Sequence, residues 1–76
     1  MLIKFETNYG NFYLEEIFNE EENITFYEVY DEPKEFESLG NFIGEFTPLT
    51  PYDKNMSMLE KETFIAELEL FIEEWY

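Results

Sequence analysis

Carboxylates are the one reactive group this chain carries in quantity: nineteen of its 76 residues are Asp or Glu. They gather as Glu15-Glu16, as Glu20-Glu21-Glu22, and as Asp31-Glu32 running on through Glu35 and Glu37. A last group, Glu60, Glu62, Glu67, Glu69, Glu73 and Glu74, lies near the C-terminus. Paired carboxylates can perform acid–base or nucleophilic work in glycoside hydrolysis, where two of them flank a sugar cleft at set separations. In a chain this acidic some pair is always close, so proximity points to no reaction. A chain of 76 residues also has little room for such a cleft. Carboxylates can hold calcium as well, but the EF-hand loop needs acids or amides at alternate positions, a Gly and a closing Glu. Asn19-Glu20-Glu21-Glu22-Asn23 has neither the alternation nor the Gly, which leaves weak, nonspecific divalent binding at most. Histidine and cysteine are absent, which removes the commonest general base, the commonest zinc ligand and any thiolate. There is no Gly-rich phosphate loop, no nucleophile elbow and no nucleophile paired with a base. The expectation is a protein that is not an enzyme and takes no cofactor or metal.

What remains is the charge itself. Four Lys and no Arg stand against seventeen Glu and two Asp, for a net charge of −15. Self-repulsion on this scale works against a compact state, so something favours keeping it. Disorder is excluded, because 45% of the residues are hydrophobic and 21% are aromatic. Nine Phe also argue against a salt-adapted protein with a weak core. Abundant Asn, Ile, Phe and Tyr suggest an AT-rich genome, which would favour Lys too, so the scarcity of Lys and the lack of Arg read as cations excluded.

The length fits one domain, residues 1–76. No segment approaches the roughly 18 apolar residues of a membrane span. Met1-Leu2-Ile3-Lys4-Phe5-Glu6 does not read as a secretory signal, because Glu6 interrupts the apolar run. A cytoplasmic location is expected. An acidic surface is repelled by anionic lipid and by phosphate, so neither a membrane nor nucleic acid is expected as a direct partner. The expected partner is a basic protein, such as a nuclease or another nucleic-acid-binding enzyme.

The elements that must position these acids follow from periodicity. Leu2 to Thr7 alternates as a strand, with Ile3, Phe5 and Thr7 on one face. Asn8-Tyr9-Gly10-Asn11 signals a turn. Phe12 to Phe18 reads as a second strand in which Glu16 breaks the apolar face and marks a bulge or frayed end. Ile24 to Tyr30, rich in β-branched and aromatic residues, reads as a third. Asp31-Glu32-Pro33 starts a short helix closed by Gly40, with Phe36 and Leu39 facing inward. A fourth strand is placed around Asn41 to Phe46, and Thr47-Pro48-Leu49-Thr50-Pro51 is a loop. Ser57-Met58-Leu59-Glu60 fits a capping box opening a helix over 57–75. Phe64, Ile65, Leu68, Phe71, Ile72 and Trp75 form its apolar stripe.

The fold class is α+β: an antiparallel sheet of three to four strands (about 2–46), a loop (47–56), and an amphipathic helix packed on the sheet. The helix then sorts its acids into two flanking rows, Glu60, Glu67, Glu74 and Glu62, Glu69, Glu73. Leu59, Ala66 and Leu70 lie between them on the outer face. Tyr9, Tyr13, Tyr27 and Tyr52 are candidate aromatic anchors outside the core.

Small size, excess Glu, no Arg, no Cys, an aromatic core and a sheet with an acidic helix together define a type. In these features the chain resembles the small acidic inhibitors encoded by phages and mobile elements, DNA mimics that block restriction enzymes, CRISPR effectors or DNA-repair glycosylases. The resemblance covers the whole chain but rests on no alignable motif, so it assigns no residue a role by position. It implies an anti-CRISPR or anti-restriction inhibitor, monomeric or weakly dimeric, acting in the host cytoplasm. Two other readings stay open: an immunity protein against a basic toxin or nuclease, and a structural acidic accessory subunit with Leu59 and Leu70 at a subunit contact.

Overall fold

The computed structural model describes residues 2–32 and 40–75. Four strands and one helix follow in chain order: β1 (Leu2–Thr7), β2 (Gly10–Asn19), β3 (Ile24–Asp31), β4 (Phe42–Phe46) and α1 (Met58–Trp75). The strands form one antiparallel sheet in the order β1-β2-β3-β4. This is the α+β arrangement expected from the periodicities, with the helix against the sheet.

Local chemistry sets the turns. The first hairpin needs only Asn8 and Tyr9 between the paired Thr7 and Gly10. The Thr7 hydroxyl donates to the Gly10 carbonyl at 2.9 Å and accepts from Tyr9 N–H at 3.1 Å. In the second hairpin Asn19 Oδ1 accepts from the N–H groups of Glu21 and Glu22, and Asn23 takes the left-handed conformation at φ 56° that Asn tolerates. The connection from β3 to β4 is closed at its neck by Asp31, whose carboxylate accepts from Asn41 N–H at 2.6 Å. The body of the short helix expected between Pro33 and Gly40, residues 33–39, lies outside the described residues, and Glu35 and Glu37 with it.

Alternation puts Phe5, Phe12, Leu14, Tyr27, Val29, Ile43 and Phe46 on one face of the sheet, where they bury against Phe64, Leu68 and Ile72 of α1. Each large side chain so buried contributes about 1.5–3 kcal/mol relative to exposure. Phe64 is the hub: its ring meets Phe5, Tyr27, Phe46 and Tyr52 at centroid distances of 5.1 to 5.8 Å. Gly44 lets the helix approach, since a Cβ there would stand 2.9 Å from the Phe71 ring.

Four expectations are corrected, two of them simply: Tyr52, expected outside the core, packs its ring against Phe5 and Phe64, and Trp75, expected on the stripe packed on the sheet, is exposed. Glu16 marks no bulge: β2 pairs with β3 without interruption from Phe12 to Asn19. The irregularity lies in β4, where Phe42 pairs with Tyr30 and Gly44 with Val29, so Ile43 is the extra residue. This bulge turns Ile43 into the core and leaves Phe42 on the opposite face. Tyr27, expected outside the core, is 0% exposed at its centre. Its hydroxyl donates to Glu16 Oε2 at 2.9 Å and accepts from Tyr52 N–H at 2.7 Å. Glu16 thus interrupts the apolar pattern because it partners a buried phenol.

Candidate functional site

Among the described residues no charged side chain is buried, so the acids are displayed on the surface. Two groups stand out: acids that accept hydrogen bonds from the protein's own backbone or phenols, and a row on the open sheet face, whose Glu28 belongs to both.

The helix rows lie mainly in the first group. Glu60 Oε1 accepts from Ser57 N–H at 3.2 Å while Ser57 Oγ accepts from Glu60 N–H at 3.1 Å, the reciprocal capping box. Glu67 Oε1 accepts from Leu49 N–H at 3.1 Å, which ties the 47–51 loop to the helix flank. On the other flank Glu69 Oε2 accepts from Asn8 N–H at 2.8 Å. The neighbouring Tyr9 hydroxyl bonds to Glu73, and the shielding of the phenol together with the charges of Glu73 and Glu69 raises its pKa. The second row therefore seats the first hairpin. Glu62 and Glu74 are exposed, as are Leu59, Ala66 and Leu70 on the outer face. Glu20, Glu21 and Glu22 project from the second hairpin, and Asp31 is engaged at the neck of its connection beside the exposed Glu32.

The second group is on the sheet face that the helix leaves open. The register there places Leu2, Glu15, Glu28 and Glu45 in one line across all four strands. One row along stand Lys4, Tyr13, Tyr30 and Phe42, and on the other side stand Ile17 and Phe26. Three carboxylates thus sit on adjacent strands between an aromatic row that ends in Lys4 and the Ile17–Phe26 pair. Directly opposed like charges destabilise a sheet, and Lys4 is the one cation among the four strands. Tyr30 packs its ring against Phe42 at 5.7 Å, and its hydroxyl reaches Glu28 Oε1 at 3.5 Å. Crowding by the surrounding side chains, and then the charges of Glu28 and Glu15, raise the Tyr30 pKa. Phe42 is 52% exposed and Leu2 44%. Shallow depressions open on this face, one lined by Leu2, Glu15, Glu28 and Tyr30, another by Ile24, Phe26, Glu45 and Thr47.

Of the acids singled out from the sequence, only Glu15 belongs to this row. Glu28 and Glu45 are lone acids between apolar residues in the sequence, outside every run of acids and every helical row. The signal was present as alternation: an acid at the solvent-facing position of a strand. Only the pairing register reveals that three such acids are neighbours.

No group of three or more acidic residues among the described residues is arranged to hold a metal ion. No helix among them is long and apolar enough to cross a membrane. Protein-family models, curated proteins and solved structures were compared with the chain, and none matches significantly.

Proposed function

We propose that this protein is an acidic binding inhibitor that presents carboxylates to a basic, nucleic-acid-binding protein. The type it resembles makes it a phage-encoded anti-restriction or anti-CRISPR inhibitor, acting where the partner would hold nucleic acid. The observation that carries this reading is the Glu15–Glu28–Glu45 line, in which like charges stand on adjacent strands of a folded domain. A surface selected for stability alone would intersperse Lys there. Opposed charges that cost fold stability are accounted for if a cationic surface binds against them.

Association driven by such a surface is fast at low ionic strength and weakens with salt. Carboxylates on the partner's Lys and Arg side chains take the place of phosphates, so the mechanism is steric and electrostatic occupation with no bond made or broken. The test is affinity capture from the host lysate at low salt with the immobilised protein, followed by a rising salt gradient. Retention of a nucleic-acid enzyme that elutes with salt is expected; retention of no basic protein contradicts the proposal.

A further inference from the structure

The open face of the sheet has a geometry more specific than its charge. Neighbouring strands lie about 4.8 Å apart, so the line from Glu15 through Glu28 to Glu45 advances about 10 Å across the strands. An α-helix advances 5.4 Å per turn and about 10.5 Å over seven residues. Cations on one side of a helix at positions i, i+3 or i+4, and i+7 therefore meet the three carboxylates in turn when the helix lies across the strands. Cations two apart on an extended strand repeat at roughly 6.6 Å and drift out of step within the row. Phosphates along a DNA strand are also spaced more widely than these carboxylates.

The flanking rows select the cation. Tyr13, Tyr30 and Phe42 line one side of the carboxylates, and Ile17 and Phe26 the other. A guanidinium can stack on an aromatic face while its planar fork engages a carboxylate, whereas an ammonium is a strongly hydrated point charge. A second copy of this chain does not fit the face: it contains no Arg and would bring the same three carboxylates.

We infer that the open sheet face is a docking surface for an arginine-bearing α-helix of the partner, lying across β2, β3 and β4. This rests on the proposed function and narrows it, for a basic helix is also the element that many proteins place in a nucleic-acid groove. The helix α1 uses Glu60, Glu67, Glu69 and Glu73 to hold the protein's own cap, loop and hairpin.

The test uses the full chain and two synthetic helical peptides of equal length and charge, one with Arg and one with Lys at i, i+4 and i+7. Two variants lose equal charge: Glu15→Gln/Glu28→Gln/Glu45→Gln on the open face, and Glu20→Gln/Glu62→Gln/Glu74→Gln elsewhere. Circular dichroism establishes that both are folded. The Arg peptide should bind about threefold or more tightly than the Lys peptide. Its amide shift changes should map to residues 13–17, 26–30 and 42–45. The open-face variant should lose about tenfold or more in affinity, while the other changes by no more than about twofold. Equal losses in both variants, shifts spread over the whole molecule, or no Arg preference would overturn the inference. Any of these results would leave the proposed function standing if a salt-eluted basic protein is retained from lysate, so the two fail separately.

Discussion

Tyr27 shows how a single buried residue in an acid-rich chain engages a carboxylate at the edge of the core. Its ring is buried at the centre of the sheet, and its hydroxyl joins Glu16 on β2 to the backbone of Tyr52 before α1. Removing that hydroxyl leaves the Tyr52 N–H and the Glu16 carboxylate without this partner. Tyr27→Phe should cost about 1–3 kcal/mol in urea unfolding; an unchanged midpoint and slope would show that the latch contributes nothing. The same phenol couples the stability of the fold to alkaline pH. Burial, then the hydrogen bond to Glu16, pushes its pKa well above the ordinary value of 10.0. Above pH 10 the unfolded chain releases this proton while the folded one keeps it, so the unfolded state binds fewer protons and stability falls as pH rises. The contribution is complete below pH 10 and is lost through the more alkaline range. Unfolding free energies measured from pH 8 upward should decline past pH 10, and Tyr27→Phe should make that decline shallower. A decline of equal steepness in the variant would assign it to other groups, Tyr9 and Tyr30 among them.

At the scale of elements, the acids of α1 act as acceptors that hold loops. Glu69→Ala should speed hydrogen exchange at the Asn8 amide, and Glu69→Gln, which keeps an acceptor oxygen, should restore most of the protection. Equal protection in all three proteins would mean that the contact does not hold the hairpin. Helix and sheet meet closely at Gly44, whose φ of 151° also favours glycine, so Gly44→Ala strains the backbone as well as forcing the Phe71 ring aside and should cost about 1–3 kcal/mol. Thermal unfolding indistinguishable from the parent would mean that neither the ring nor the backbone at this position resists a side chain.

These elements were largely legible in the sequence. Period-two alternation marks β1, β-branched and aromatic enrichment marks β3, and the capping box with its apolar stripe marks α1 to within a residue. Tyr27 and Glu16 depart from expectation for one reason, because a buried phenol and its carboxylate partner look from the sequence like a surface aromatic and a pattern break. The β4 bulge was hidden for a related reason: Phe42-Ile43-Gly44-Glu45-Phe46 alternates differently on either side of Ile43, and only pairing to Tyr30 and Val29 shows where the extra residue falls. The carboxylate line on the open face depends on register between residues far apart in the chain, which single-strand periodicity does not contain.

On the scale of the whole molecule, a net charge of −15 on a small domain is a persistent strain relieved by counter-ions. Raising salt from about 10 mM to about 500 mM shortens the screening length several-fold and should raise the melting temperature. A melting temperature that falls or stays level would show that repulsion is not what limits stability. The same salt should weaken a complex with a basic partner, so fold and complex respond in opposite directions. The most direct measurement follows a labelled nucleic-acid duplex on the salt-eluted enzyme while this protein is titrated in. Anisotropy should fall to that of free duplex as one complex replaces the other. A duplex that stays bound while this protein also binds would contradict occupation of the nucleic-acid site.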